Sequence, residues 1–175
     1  MQFSLKTCTL RYWQTGDELA LAKHANNYHI WINLRDSFPH PYTLQDAQTW
    51  IMLANATKPI TNFAIIVNNE PVGGIGLVLQ PDVYRKSAEI GYWLSEQYWN
   101  QGIITEALQA ITDFGFNTLE LERIYAGVFA WNPKSARVLE KAGYHLEGKL
   151  KNSVYKNKQL IDSLLYAKVR SITGA

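Results

Sequence analysis

Two short loops carry the residues whose types and order could do chemistry. The first is Tyr98-Trp99-Asn100-Gln101-Gly102-Ile103-Ile104-Thr105-Glu106-Ala107, and the second is Trp131-Asn132-Pro133-Lys134-Ser135. In the first, a strand turns through a glycine-containing loop straight into a helix. The opening N–H groups of such a helix have no intrahelical acceptor, and the positive end of the helix dipole lies there. The turn therefore suits a phosphate. It lacks the lysine and the spacing of a nucleotide P-loop. The ligand expected is a phosphate-bearing cofactor held mainly by backbone. In the second loop, Asn132 reads as a helix cap with Pro133 at the first helical position.

The elements that must position these loops follow from periodicity and turn chemistry. Residues 2–12 alternate and read as a strand; residues 16–34 read as one or two short helices. The prolines in Phe38-Pro39-His40-Pro41-Tyr42 exclude helix there. Thr43 with Asp46 is a capping-box variant that opens a helix to about Thr57, with Ala47, Trp50, Ile51 and Ala54 as its apolar face. Residues 62–68 and 72–80 form a hairpin about Asn68-Asn69-Glu70-Pro71. Gly73, Gly74 and Gly76 fall in its second strand and open no helix, so they read as a crowded strand rather than a dinucleotide loop. Residues 87–95 form the next strand. A helix from about Ile103 to Thr118 turns Ile104, Ala107, Leu108, Ile111 and Phe114 inward. Ile124–Ala130 is a strand, and the helix after Asn132 has Ser135, Val138, Leu139 and Ala142 as its inner stripe, with Gly143 ending it. Residues 144–155 and 159–170 close the chain as a hairpin. The order gives an α+β, mixed α/β domain spanning residues 1–175. Its sheet is expected to have six to seven strands, mostly antiparallel with one parallel step, flanked by about four helices.

Composition narrows the function classes. At 175 residues the chain fits one domain with a real core. A net charge of +2, with scattered basic residues, argues against dedicated nucleic-acid binding. Cys8 is the only cysteine, so no intrachain disulfide and no cysteine-based metal cluster is expected. His24, His29, His40 and His145 show no metal-ligand spacing, so no metal is expected. There is no signal-peptide pattern at the start and no apolar run near ~20 residues. A cytoplasmic protein, monomer or homodimer, with no membrane partner is expected.

Taken in order, Ala88-Glu89-Ile90-Gly91-Tyr92-Trp93-Leu94, the Tyr98–Leu108 loop, Asn132-Pro133-Lys134-Ser135-Ala136 and Lys141-Ala142-Gly143-Tyr144 with Glu147-Gly148 resemble the GNAT superfamily of acyl-CoA-dependent N-acetyltransferases. Phe38-Pro39-His40-Pro41-Tyr42 and the closing Asp162…Tyr166 strand are similar to the RimJ/RimL-type branch, which acetylates ribosomal-protein N-termini. The family's pyrophosphate loop maps to Trp99, Asn100, Gln101, Gly102, Ile103 and Ile104. Asn100 stands where glycine is frequent, and Ile104 where a small residue is.

The resemblance implies a GNAT-like fold whose parallel pair splays, and acetyl-CoA as cosubstrate. It places Trp93, Leu94, Trp99, Asn100, Gln101, Gly102, Ile103, Ile104, Thr105, Asn132, Ser135 and Arg137 against that cosubstrate. It implies Glu89 as a base acting through water, with a salt-bridged strand glutamate as the alternative. Ser135 would release the thiolate, because the position of the family's usual tyrosine is Leu139; a first-turn helix serine is the alternative. Asn132 would both cap the helix and meet the pantetheine arm. Lys134, Arg137 and Lys141 read as nucleotide-phosphate contacts or as plain surface charge. The acceptor pocket is expected from Tyr28, Trp31, Phe38, His40, Tyr42 and Tyr92. The implied reaction is direct acetyl transfer to a primary amine, most simply a protein N-terminus. A small amine (polyamine, amino acid or aminoglycoside) and a CoA-binding module without turnover are the rivals.

Overall fold

The computed structural model describes residues 1–170. The strands hydrogen-bond in the order β1-β2-β3-β4-β5-β6-β8-β7, with β1 Gln2–Ser4, β2 Thr9–Tyr12, β3 Asn62–Val67, β4 Glu70–Leu79, β5 Ser87–Leu94, β6 Arg123–Phe129, β7 His145–Lys156 and β8 Gln159–Val169. The helices are α1 Glu18–Ala25, α2 Tyr28–Trp31, α3 Leu44–Ala56, α4 Ile103–Asn117 and α5 Pro133–Lys141. The β5–β6 pair is parallel, and the other recorded pairings are antiparallel. This is the expected mixed α/β class, with eight strands rather than six to seven. The extra strand comes from residues 2–12, which form two strands. Leu5 N–H donates to the Cys8 carbonyl at 2.9 Å and closes a turn that contains no glycine or proline to betray it. Cys8 consequently lies in that turn and not in a strand. No helix among the described residues is long and apolar enough to cross a membrane.

The contacts divide the chain into two units. One holds Met1–Gly76 and Tyr92–Ala107; the other holds Leu77–Gly91 and the chain from Leu108 onward.

In the first unit, α1 and α3 bury Trp13, Leu21, Ala25, Tyr42, Ala47, Ile51, Ala54 and Ala64 in one cluster, with Phe38 and Trp93 packed against it. The start of α3 is fixed as its sequence requires. Thr43 Oγ1 accepts from Asp46 N–H, and the Asp46 carboxylate accepts from Thr43 N–H at 2.8 Å, a complete capping box. Trp50, expected on the inner face, is 38% exposed, because Ala47, Ile51 and Ala54 already form the stripe that meets the core. The β3–β4 hairpin turns through Asn68 and Asn69, both with positive φ, the pair of conformations that a two-residue hairpin loop requires. Gly73 and Gly74 mark close approach to the neighbouring strand. A Cβ on Gly73 would stand 2.5 Å from the Trp93 carbonyl oxygen, and one on Gly74 would stand 2.8 Å from Trp93 Nε1.

In the second unit, β6 pairs with β8 along its length, from Arg123↔Val169 to Phe129↔Ser163. Leu108, Ile111 and Phe114 of α4 are buried, and the helix comes close to β6 at Gly115, where an added Cβ would stand 2.6 Å from Ile124 Cδ1. Thr112 Oγ1 and Tyr144 Oη, both buried, lie 2.6 Å apart and tie α4 to the turn after α5. The inner stripe of α5 is Ala136, Leu139 and Ala142, with Ser135 and Val138 only half-buried, so the stripe is rotated slightly from the expected one. Gly143, with φ +86, ends the helix as expected.

Candidate functional site

The glycine loop of the first unit is built from anchored side chains and an outward backbone. After β5, Ser95 N–H donates to the Val72 carbonyl at 2.8 Å, and a single 3-10 turn spans Glu96–Tyr98. Trp99 Nε1 donates to the Leu94 carbonyl at 2.8 Å, and Gln101 Nε2 to the Gln97 carbonyl at 3.1 Å. With those two side chains turned back, residues 100–102 are exposed, while Ile103 is 2% exposed and pins the first turn of α4. Asn100 has φ +61 and Gly102 φ +81. Asparagine is among the few side chains that tolerate this left-handed region, which accounts for Asn100 in place of glycine. At Gly102 an added Cβ would meet nothing within 4 Å, so the residue is demanded by its dihedral angle and the space above it is open.

The first intrahelical bond of α4 runs from Glu106 N–H to the Gly102 carbonyl at 3.1 Å. The amides of Ile103, Ile104 and Thr105 precede it and have no acceptor within the helix. Ile104, expected to point inward, is half-buried beside Thr105. Glu106 accepts from Thr7 N–H at 2.9 Å and Thr7 Oγ1 at 2.7 Å, fastening the helix start to the β1–β2 turn. The arrangement can bind an oxyanion through backbone donors and the helix dipole, and its donor set fits a diphosphate.

The expected acceptor residues of the same unit fall into two groups. Tyr28, Trp31 and His40 form one: ring centroids lie 5.6 Å apart for Tyr28–Trp31, 5.5 Å for Trp31–His40 and 6.0 Å for Tyr28–His40. Asn27 caps α2, the helix that carries Tyr28 and Trp31, its side chain accepting from His29 and Ile30 N–H. Phe38 belongs to the second group, 4.8 Å from Tyr42 and 5.8 Å from Trp93. Tyr42 is core, and burial with Asp46 nearby pushes its hydroxyl up to about 12. Tyr92 is half-buried on β5, and Leu94 is buried at its end.

In the second unit, Glu89 is half-buried and stands opposite Tyr125 in the parallel register Ser87↔Arg123, Ala88↔Ile124, Glu89↔Tyr125. Asn132 Oδ1 accepts from Ser135 N–H at 3.2 Å, so the cap is formed and the two expected residues are joined. Leu139 is fully buried and is a packing residue. Lys134, Arg137 and Lys141 are exposed along α5. The described residues contain no group of three or more His, Cys, Asp or Glu placed to hold a metal.

Two features escaped the sequence. Trp131 Nε1 is buried and has no hydrogen-bond partner among the described residues. His24, 5% exposed, joins Ser95 Oγ through Nδ1 at 2.9 Å and Glu70 Oε1 through Nε2 at 3.0 Å. These partners are far from His24 in the chain, and no local pattern could have grouped them.

The family description "Acetyltransferase (GNAT) domain" matches residues 8–145. The ribosomal-protein-serine acetyltransferase of Escherichia coli (strain K12) is 38% identical over 108 residues, 61% of this chain and 59% of that protein. The matched stretches span about half the length of the first curated relatives. Among solved structures, Mycobacterium smegmatis RimJ in complex with CoA-disulfide superposes with a TM-score of 0.83 at 25% identity, covering 93% of this chain and 81% of that one. A RimL L7/L12 α-N-protein acetyltransferase in complex with coenzyme A has a TM-score of 0.86 at 23% identity, covering 97% and 98%, which speaks to the fold alone.

Proposed function

Because the chain belongs to the GNAT acetyltransferase family, we propose that it moves an acetyl group from acetyl-CoA to a primary amine, the α-amine of a protein or peptide N-terminus. The observation that carries this reading is the Asn100–Gly102 turn. Its left-handed residues, the open space at Gly102 and the amides of Ile103, Ile104 and Thr105 that precede the first intrahelical bond of α4 make the arrangement a diphosphate needs. The relative that acts on a ribosomal-protein serine supports a protein acceptor.

Acetyl-CoA supplies an activated thioester. The chain's residues divide the remaining work. Residues 100–105 hold the diphosphate by backbone, with Trp99 turned back under the loop. Asn132 holds the start of α5 and meets the pantetheine arm. Glu89, through water, takes the proton from the acceptor ammonium, which an α-amine with a pKa of roughly 8 gives up readily. Ser135 would relay a proton to the departing sulfur while taking up the second proton that the attacking nitrogen sheds, so that its hydroxyl is restored and the products are amide and thiol. Tyr28, Trp31 and His40 form an aromatic surface against which the first acceptor residue packs, and loops on a rigid scaffold are where such selectivity is commonly set.

The test is thiol release during incubation with acetyl-CoA and a panel of peptides, polyamines, amino acids and aminoglycosides. Turnover on peptide N-termini above all other amines is the expected result. Preference for a small amine would move the acceptor assignment, and tight CoA binding without turnover on any amine would make the chain a binding module.

A further inference from the structure

The buried His24 has no place in the chemistry above, yet its contacts converge on the loop that chemistry depends on. On one side its Nε2 meets Glu70 at 3.0 Å, and Glu70 also accepts from Lys23 at 2.8 Å. Hydrogen bonds from Lys23 and then His24 hold the Glu70 carboxyl below its ordinary value, so it is an ionised acceptor near neutral pH. In the neutral ring that acceptor selects the tautomer with its proton on Nε2, whose Nδ1 carries a lone pair. On the other side, Nδ1 lies 2.9 Å from Ser95 Oγ. The Ser95 hydroxyl therefore donates to the ring.

Ser95 is the residue at which β5 stops and the glycine loop begins. Its N–H is held by Val72 and its carbonyl accepts from Tyr98 N–H at 3.0 Å. The Tyr98 ring stands edge-on to His24 at 6.4 Å. One turn along the chain from His24, Asn27 Nδ2 donates to Glu96 Oε2 at 2.9 Å. Thus α1 and its C-terminal turn grip Ser95, Glu96 and Tyr98, the three residues that set the path of the backbone into Trp99–Gly102. Ser95 is 7% exposed and its hydroxyl is already engaged, which fits a fixing role and not a nucleophile's.

We infer that His24 is a positioning residue for acetyl-CoA: as a hydrogen-bond acceptor at Nδ1 it fixes Ser95, and through Ser95 the entry of the loop whose amides hold the diphosphate. The inference rests on the proposed diphosphate role of residues 100–105. It is specific about which nitrogen matters. An asparagine at 24 places its amide where Nδ1 stands and can accept from Ser95. A glutamine reaches the place of Nε2 and serves Glu70 instead.

The experiment measures CoA binding by calorimetry and steady-state KM for acetyl-CoA and amine separately, for wild type, His24→Asn, His24→Gln, Ser95→Ala and Ser95→Thr, with Gly102→Ala as the loop control and thermal unfolding of each. The expected result is a rise in CoA Kd of about tenfold in His24→Gln and Ser95→Ala, the worth of one buried hydrogen bond. His24→Asn and Ser95→Thr should stay within about twofold, with amine KM unchanged throughout. Equal losses in His24→Asn and His24→Gln would make the residue merely structural and overturn the inference. So would wild-type affinity in both His24→Gln and Ser95→Ala while Gly102→Ala is weakened, a result that leaves the loop assignment standing. Failure of wild type to bind CoA would remove the loop assignment and the inference together.

Discussion

Glu89 and Tyr125 are partners in the parallel register of β5 and β6, a register that begins at Ser87↔Arg123 while β5 runs on to Leu94 and β6 to Phe129. A carboxylate in this place is half-buried on a strand rather than free on a loop, so its direction is set by the pleat. Glu89→Gln keeps the shape and removes the proposed base. The expected loss in kcat/KM for a peptide amine is about 100-fold, at the low end for a general base. Ser135→Ala should lower kcat with KM for acetyl-CoA little changed. If both variants match wild type across the pH range, neither residue is catalytic.

Gly102 separates dihedral need from spatial need. With φ +81 and no atom within 4 Å of an added Cβ, Gly102→Ala suffers only the backbone penalty, on the order of 1–2 kcal/mol. Gly102→Asn should recover much of it, since asparagine tolerates the left-handed region. CoA affinity measured by calorimetry is expected to fall in the order glycine, asparagine, alanine. Equal affinity in all three would mean that the loop does not hold the cosubstrate in this conformation.

Cys8 is expected to be chemically silent. Burial pushes its thiol up to about 11, so at pH 8 only a very small fraction is thiolate, and the thiolate is the reactive form. A disulfide-exchange reagent should label the native protein far more slowly than the urea-unfolded one, and Cys8→Ala should leave turnover unchanged. Rapid native labelling coupled to inactivation would reopen a covalent route through this thiol.

The capping box of α3 gives a stability prediction. Thr43→Ala removes the side chain that accepts from Asp46 N–H and is expected to cost about 1 kcal/mol, with Thr43→Ser nearly neutral. Urea unfolding measures it; an unchanged midpoint for Thr43→Ala would show that the cap is redundant with the packing of Ala47, Ile51 and Ala54.

The Arg123–Glu147 pair predicts a pH dependence. Two guanidinium N–H groups reach the two carboxylate oxygens, and the hydrogen bonding to Arg123 holds Glu147 below its ordinary value of 4.5. A lowered folded-state value means the contribution is full above 4.5 and is lost as pH falls through the folded value. About a third of each side chain is exposed, so solvent screening limits the term to at most about 1 kcal/mol. Arg123→Gln should therefore shrink the stability difference between pH 7 and pH 3; an unchanged difference would place the acid sensitivity elsewhere.

Local signals made much of this molecule legible. Thr43 with Asp46, Asn132 with Pro133 and Gly143 each announced a helix end by chemistry that acts within one turn, and each helix end is where they put it. The split of residues 2–12 was illegible because a turn closed by Leu5 and Cys8 uses ordinary residues. Trp50 and Ile104 went astray because a helical stripe is wide, and only the neighbouring strands decide which of its edges is covered. Among the acceptor candidates, Tyr42 looked like its aromatic neighbours in sequence, and only packing against α1 and α3 made it core.

By itself the sequence determined the order of the elements beyond residues 2–12, the caps and the glycine loop, because those depend on dihedral preferences and on hydrogen bonds between near neighbours in the chain. The tertiary structure alone decided that His24 meets Ser95 and Glu70, that Thr7 holds Glu106 and that Glu89 faces Tyr125. Such contacts join residues distant in the chain, and they form only when burial of the apolar faces has fixed which segments lie side by side.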